Sequence, residues 1–228
     1  MPSLFQHYPT RPANNKCENA FIILSNAHDA SSSLLDIFNT SRRNRNARGT
    51  PTDEEQDLLR SMLIFACAGL DSMVKQLVSD VLSSVIDFDD GASEMFKSYI
   101  ERRIKKGQEI DHRLLADVLG DIKPRERLIK SLIYDLTSQS LQSTEQLLRV
   151  GSFFNIPSNN ICRDTNKLIQ IFQARNEMVH ELDVDFSQPS RSRRLRTRSR
   201  MIEFVNEIFN VAETFLRSVD SKLGRSEE

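Results

Sequence analysis

The stretch from Thr52 to about Ile86 limits the possible folds of this chain more than any other. Leu59, Met62, Leu63, Ala66, Leu70, Met73, Val74, Leu77, Val81 and Val85 recur there at helical spacing. Thr52 and Glu55 form a capping-box pattern, and Asp53 and Glu54 suit the positive end of a helix dipole. Between Met62 and Leu70 almost no polar face is left, so the spacing predicts a central helix packed on several sides. Such a helix needs covering elements, and the rest of the chain offers mainly more helices. Gly and Pro number seven each, Trp is absent, and no run alternates with a β period. The expected fold class is all-α.

The covering elements can be placed approximately. Residues 1–12, with Pro2, Pro9 and Pro12, read as an unstructured lead-in. A first helix is expected over about Asn14 to Asn39, with Phe21, Leu24, Leu34, Ile37 and Phe38 as apolar positions. Residues 41–51 are polar, contain Arg42, Arg43, Arg45 and Arg48, and end in Gly49-Thr50-Pro51, which reads as a loop. Shorter helices are expected over Ser93–Lys106, Asp111–Ile122, Arg125–Thr137 and Ser143–Val150, with a break at Lys123-Pro124. Ile156-Pro157-Ser158 marks another break. A last helix carries Val205, Ile208, Phe209, Ala212, Phe215, Leu216 and Val219 on one stripe. Length alone allows one large or two small domains, but no Pro/Gly-rich linker divides the chain. We therefore divide it into an N-terminal helix and Arg-containing loop at 1–51, joined to a main helical domain at 52–222, and a disordered tail at 223–228.

Composition excludes several classes. Hydrophobic content of 39% with 28% charged residues suits a globular chain rather than a disordered one. No segment has ~18 uninterrupted apolar residues, so no membrane span or membrane partner is expected. The first seven residues lack the basic and apolar regions of a secretory signal. Cys17, Cys67 and Cys162 are odd in number and far apart, which fits neither a disulfide framework nor a zinc spacing and points to a reducing cytoplasm.

The chemistry concentrates in Arg175-Asn176-Glu177-Met178-Val179-His180. Leu168, Ile169, Phe172, Val179 and Leu182 suggest a buried helical stripe, and its spacing leads from Leu168 to Arg175 and from Phe172 to Asn176. Asn176 and His180 are one turn apart and share a face. A cation, an amide and an imidazole thus fall where the helix should be apolar, an arrangement that is costly unless they are partnered or used. Asp71 lies just past the apolar run of the central helix and stacks with Cys67, Val74 and Val78. A carboxylate there is either an edge acid or a partner for Arg175 or His180. Eleven residues beyond His180, a Ser/Arg segment begins with Arg191, Arg193, Arg194, Arg196, Arg198 and Arg200 and no acid among them. Clustered arginines of this kind neutralise a polyanion, or merely form a solvated loop.

Other chemistries lack their residues. There is no phosphate-binding Gly-rich loop, no G-x-S-x-G elbow and no H-E-x-x-H. His7, His28 and His112 have no metal-spaced partner and read as surface or packing residues. Asp87, Asp89, Asp90 and Gly91 lack the twelve-residue calcium spacing and read as a solvated loop between helices. No metal and no cofactor is expected.

An all-α chain with an acid-bearing apolar helix in its first half and Arg175-Asn176-x-x-x-His180 near the start of its last third resembles the HEPN superfamily. The strings Leu58-Leu59-Arg60-Ser61-Met62-Leu63, Gly69-Leu70-Asp71-Ser72-Met73-Val74-Lys75 and Ile171-Phe172-Gln173-Ala174 are similar to its RiboL-PSP subgroup, over about Thr52 to Leu216. The resemblance implies a HEPN-like bundle, with long central helices and shorter helices inserted between them. It also implies a metal-independent endoribonuclease, acting on RNA as a homodimer, in toxin or anti-phage defence, with a neutralising antitoxin or defence partner. Carried over, His180 is the general acid or base, Arg175 holds the scissile phosphate, Asn176 orients the site and Asp71 supports it. Physical chemistry agrees: imidazole exchanges protons near neutral pH, and guanidinium presents a fork of donors to phosphate. The 2′-hydroxyl as nucleophile selects RNA over DNA. Residues 175 and 180 are about 140° apart around a helix, so a symmetric second chain could complete the site.

The chain departs from the family at two positions. Leu182 stands where a toxin subgroup has the Tyr that a partner nucleotidyltransferase modifies, and Asp71 stands where Glu is more usual. Two rival readings use the same residues. One is a non-catalytic HEPN-like module for RNA or nucleotide binding or oligomerisation; the other is a structural bundle in which Arg175 and His180 pair with acids such as Asp71.

Overall fold

The computed structural model describes residues 8–46, 48–106, 109–110 and 112–224. A 3-10 turn at Asn15–Cys17 leads into α1 (Glu18–Asn44), followed by α2 (Asp53–Phe88) and α3 (Asp90–Ile104). A two-residue antiparallel pair, Lys105–Lys106 with Glu109–Ile110, separates α3 from α4 (His112–Leu119). Then come α5 (Pro124–Thr137), α6 (Thr144–Phe153), the single turn α7 (Ser158–Ile161), α8 (Thr165–His180) and α9 (Arg198–Gly224). The fold is all-α.

The central helix forms for the reasons its sequence gives. Thr52 Oγ1 accepts from the Glu55 N–H at 3.4 Å, and the Glu55 carboxylate accepts from the Thr52 N–H at 3.0 Å, closing the capping box. All ten apolar positions named above for α2 are buried. α1 lies along one side of it, and α5, α8 and α9 also pack against it. At Gly69 the approach of α1 leaves no room for a side chain, since an added Cβ would collide with Ala27 Cβ. By length and composition α2 could cross a bilayer, yet 56% of its most apolar window is buried within the bundle. Truncating a core residue such as Leu70 to Ala would cost about 2–5 kcal/mol.

Several boundaries differ from expectation, each for a local reason. α1 runs five residues further than expected, so Arg42 and Arg43 stand on a helix rather than in a loop. Its extension is held by Glu55, which pairs with Arg42 at 3.3 Å and Arg45 at 2.8 Å. Ile37 on α1 is exposed, not buried. The expected loop at Asp87–Gly91 is a one-residue junction. Asp89 caps α3 by accepting from the Ala92 N–H at 2.9 Å, and it also binds Asn155 and Lys222. Leu223, placed in the tail by the sequence, is buried in α9, while 225–228 lie outside the described residues. Of the expected lead-in, residues 8–12 have no regular structure and 1–7, with His7, lie outside the described residues.

Candidate active site

α8 is started by Asp164, whose side chain accepts from the Lys167 N–H at 2.9 Å. Its buried positions are Leu168, Ile171, Phe172, Ala174 and Met178. Arg175 falls on that stripe one turn before Met178 and is half-buried. Its positive charge reaches the buried Cys67 of α2, whose thiol burial pushes up to about 12. Arg175 Nη1 donates to Asn176 Oδ1 at 3.0 Å, and its Nε is buried without a hydrogen-bond partner among the described residues.

Asn176 and His180 lie elsewhere than the apolar spacing suggested. Both are exposed, as are Ile169 (51%), Val179 (38%) and Leu182 (69%), which the sequence assigned to the buried stripe. The stripe actually follows Leu168, Ile171, Phe172, Arg175 and Met178, keeping Leu168, Phe172 and Arg175 of the expected set. Helical spacing is thereby kept, but of Arg175, Asn176 and His180 only Arg175 falls on the buried stripe. α8 stops at His180 because Leu182 and Asp183 take positive φ values of 50° and 61°, sending the chain back across the helix end.

Asn176 and His180 line one groove of ≈ 440 Å³ together with Ile169, Gln173, Glu177, Glu181, Ser143 and Thr144. Ser143 and Thr144 stand at the start of α6, a contribution that spacing along α8 could not reveal. His180 makes no side-chain hydrogen bond or ion pair among the described residues. Asp71 does not pair with Arg175 or His180, correcting the sharper of its two expected roles. It instead accepts from Lys75 at 3.1 Å and from the Leu141 N–H at 2.7 Å, which ties α2 to the chain just before α6.

The arginine segment also differs from expectation. No acid lies among its members in sequence, but the fold brings several to it. Arg193 pairs with Asp57 at 2.6 Å, and Arg194 lies within 4 Å of Glu177, Glu181 and Asp185. Arg196 bonds to Glu177 at 2.8 Å and through Nε to Asp183 at 3.0 Å. Arg200 pairs with Glu203 at 3.1 Å and Gln170 at 2.8 Å, with its guanidinium over the Phe204 ring. Arg198 donates to Asn39, a neutral partner, at 3.0 Å. Arg191 has no side-chain partner among the described residues.

Asp183 is the centre of this network, a role that no local pattern in the chain announces. Its side chain is fully buried and accepts from Arg60 Nε at 2.7 Å as well as from Arg196. Arg60 is itself 4% exposed and also donates to Asp57 and to the Arg194 carbonyl. A buried carboxylate between two guanidiniums satisfies its lone pairs where water cannot. Burial works against the Arg196 charge, but the bonds to Asp183 and Glu177 outweigh it and raise its pKa. The segment from 183 to 196 is thereby clamped to the first turns of α2 and to the end of the motif helix. Glu177, inside the motif, is one of the clamp's anchors and receives a further bond from Gln173 at 3.2 Å.

No cluster of three or more His, Cys, Asp or Glu that could hold a metal occurs among the described residues. His28 is a packing residue, edge-on to Tyr8 at 5.0 Å and tilted against Phe209 at 5.1 Å, while His112 is exposed.

The family model for RiboL-PSP-HEPN matches residues 25–223. The chain belongs to the RiboL-PSP-HEPN family. The match starts within α1, so the family's domain includes the N-terminal helix and ends with α9. No curated protein and no solved structure matched the chain. As a HEPN-type module, the chain presents Arg175, Asn176 and His180 on one helix, two of them in an open groove.

Proposed function

We propose that the chain is an endoribonuclease in which His180, Arg175 and Asn176 cleave RNA through attack of the 2′-hydroxyl on the adjacent phosphate. One observation carries this reading. Among densely paired charged groups, the motif imidazole is exposed in a groove with no side-chain partner among the described residues. An imidazole so placed can take the 2′-hydroxyl proton or protonate the leaving 5′-oxygen. Arg175 supplies fixed positive charge to the phosphate through the donors its single bond to Asn176 leaves over. Asn176, accepting from that guanidinium, sets its direction. Asp71 supports the site only at a distance, by fixing the chain before Ser143.

The reading extends to a homodimer with the motif helices near the two-fold axis. Phe65 is 49% exposed on α2, which packs against α8, and Ile169 and Val179 are exposed on α8 itself. A second copy would cover such apolar surface and bring two motifs to one groove. Within the arginine segment, the RNA-binding role narrows to Arg191 and Arg198, the members without a carboxylate partner. A toxin or defence role, with an antitoxin or defence-system partner, follows from the family resemblance alone, and a cytoplasmic location from the three unpaired cysteines.

Incubating the purified protein with total RNA in EDTA tests the chemistry. Wild type leaves 2′,3′-cyclic phosphate or 3′-phosphate ends, and His180→Ala loses 10²–10⁴-fold in rate, the usual share of a general acid–base group. Undiminished cleavage by His180→Ala sinks the assignment. Light scattering on the same sample checks the dimer, which a monomer at cleaving concentrations would rule out. Nucleotide or RNA binding without cleavage would favour the non-catalytic alternative.

A further inference from the structure

His180 is the last residue of α8, where a helix ordinarily frays because its final carbonyls lack partners. The chain leaves this end by an unusual route. A left-handed turn after a helix is commonly made by Gly, yet here Leu182 and Asp183 take φ values of 50° and 61°. Such backbone is unfavourable for a leucine and persists only where the surroundings hold it. The N–H groups of Glu181, at 3.1 Å, and Asp183, at 2.9 Å, converge on the Glu177 carbonyl, so His180 lies inside a closed final turn.

Ion pairs hold that turn closed. The Asp183 carboxylate, fully buried, accepts from Arg60 Nε of α2 at 2.7 Å. Arg196 Nη2 reaches both Asp183, at 2.5 Å, and Glu177, at 2.8 Å. The Arg196 N–H in turn donates to Gln56 Oε1 of α2 at 3.0 Å. One guanidinium therefore fastens the residue three before His180 to the residue three after it, and is itself fastened to the central helix. The imidazole between them has no side-chain partner among the described residues, so the backbone of this turn sets where it stands in the groove.

We propose that Arg196 and Glu177, with Asp183 and Arg60, are positioning residues for His180, acting by fixing the last turn of α8 against α2. The inference rests on the ribonuclease reading and extends its machinery beyond the motif to a clamp drawn from three separate segments. Displacing a reacting group by about 1 Å can cost on the order of 10²-fold in rate. An arginine suits the role because its planar fork holds two carboxylates in fixed directions, whereas a lysine offers only a flexible point charge.

The experiment measures kcat and KM on one RNA for wild type, Arg196→Lys, Glu177→Gln and the double variant, at a temperature below all their melts. Lysine keeps the charge a phosphate would feel and loses the fork. In each single variant kcat falls about ten- to a hundredfold with KM within about threefold. The double variant loses no more than the worse single one, because both act through one bond. Asp89→Asn, which disrupts a carboxylate bonded to Asn155 and Lys222, controls for lost stability and keeps kcat within about twofold. Should one single variant fail to fold, the other carries the test. Unchanged kcat in the folded variants overturns the inference, as does a rise in KM alone, which would make Arg196 a substrate contact. A double loss equal to the product of the single losses, or an equal loss in Asp89→Asn, also overturns it. If wild type cuts nothing, the ribonuclease reading fails separately, and backbone NMR order parameters at Val179, His180 and Glu181 decide the positioning. Lower values in Arg196→Lys and Glu177→Gln than in wild type and Asp89→Asn uphold it; equal values in all four overturn it.

Discussion

Two sets of polar groups meet at the end of α8, and the fold treats them in opposite ways. Asp183, Arg60, Arg196 and Glu177 are buried or half-buried and bonded to one another. Asn176 and His180 are exposed, and His180 has no described side-chain partner. A group that stabilises a fold must recover its desolvation cost through bonds within the protein. A group kept for substrate does better with its bonding capacity unspent. By that criterion the first set is scaffold and the second is the proposed site, although sequence alone drew attention to the second and to the arginines around the first.

The largest effect that could break this division is expected at Asp183. Asp183→Ala leaves Arg60 and Arg196 without their shared carboxylate and should cost about 3–5 kcal/mol, as for other broken buried pairs. For a chain of this size, thermal melting should then fall by about 10 °C. His180→Ala, which removes most cleavage, should by contrast shift stability by no more than about 0.5 kcal/mol. If His180→Ala unfolds the protein while Asp183→Ala leaves it intact, the two sets have been assigned the wrong way round.

A smaller effect belongs to Glu55. Burial alone would raise the pKa of Glu55, but bonds from the Thr52 N–H, Arg45, Arg42 and Ser41 outweigh it and hold the carboxylate below its ordinary range. A depressed folded pKa means that this stabilisation is complete above the unfolded value and disappears as pH falls through the folded one. Glu55→Gln should therefore cost about 1–3 kcal/mol near neutral pH. Its melting temperature should converge with wild type in acid, and a gap independent of pH would show that the carboxylate charge is irrelevant.

The smallest effect concerns Arg191 and Arg198. Replacing both with Gln should leave stability within about 0.5 kcal/mol. If both contact phosphates, it should also flatten the dependence of RNA affinity on salt by about 1–2 in log–log slope. An unchanged slope would remove the whole segment from the RNA-binding surface and leave it as a clamp.

Much of the architecture was legible because it depends on local patterns. The capping box at Thr52 and Glu55, the buried face of α2, the breaks at Pro124 and Pro157 and the stripe of α9 all follow from spacing within a few residues. The stripe of α8 was legible in part: Leu168 and Phe172 are buried, but Ile169, Val179 and Leu182, as apolar as the buried residues, are exposed. Which apolar positions turn inward is decided by the elements the helix meets, and packing against α2, α6 and α9 left Leu168, Ile171, Phe172 and Met178 inside. The role of Asp71 changed for the same reason: Leu141, seventy residues away, presents its N–H to the carboxylate.

The sequence by itself determined the helices, the family and the three motif residues, because helical period, caps and a short motif are written in contiguous residues. Only the tertiary structure decided that Arg196 and its neighbours face carboxylates rather than solvent. It alone brought Ser143 and Thr144 to the groove that His180 lines and showed that Asp183 anchors the loop. Those outcomes depend on distances between segments far apart in the chain, and electrostatic pairing acts over those distances whatever the separation in sequence.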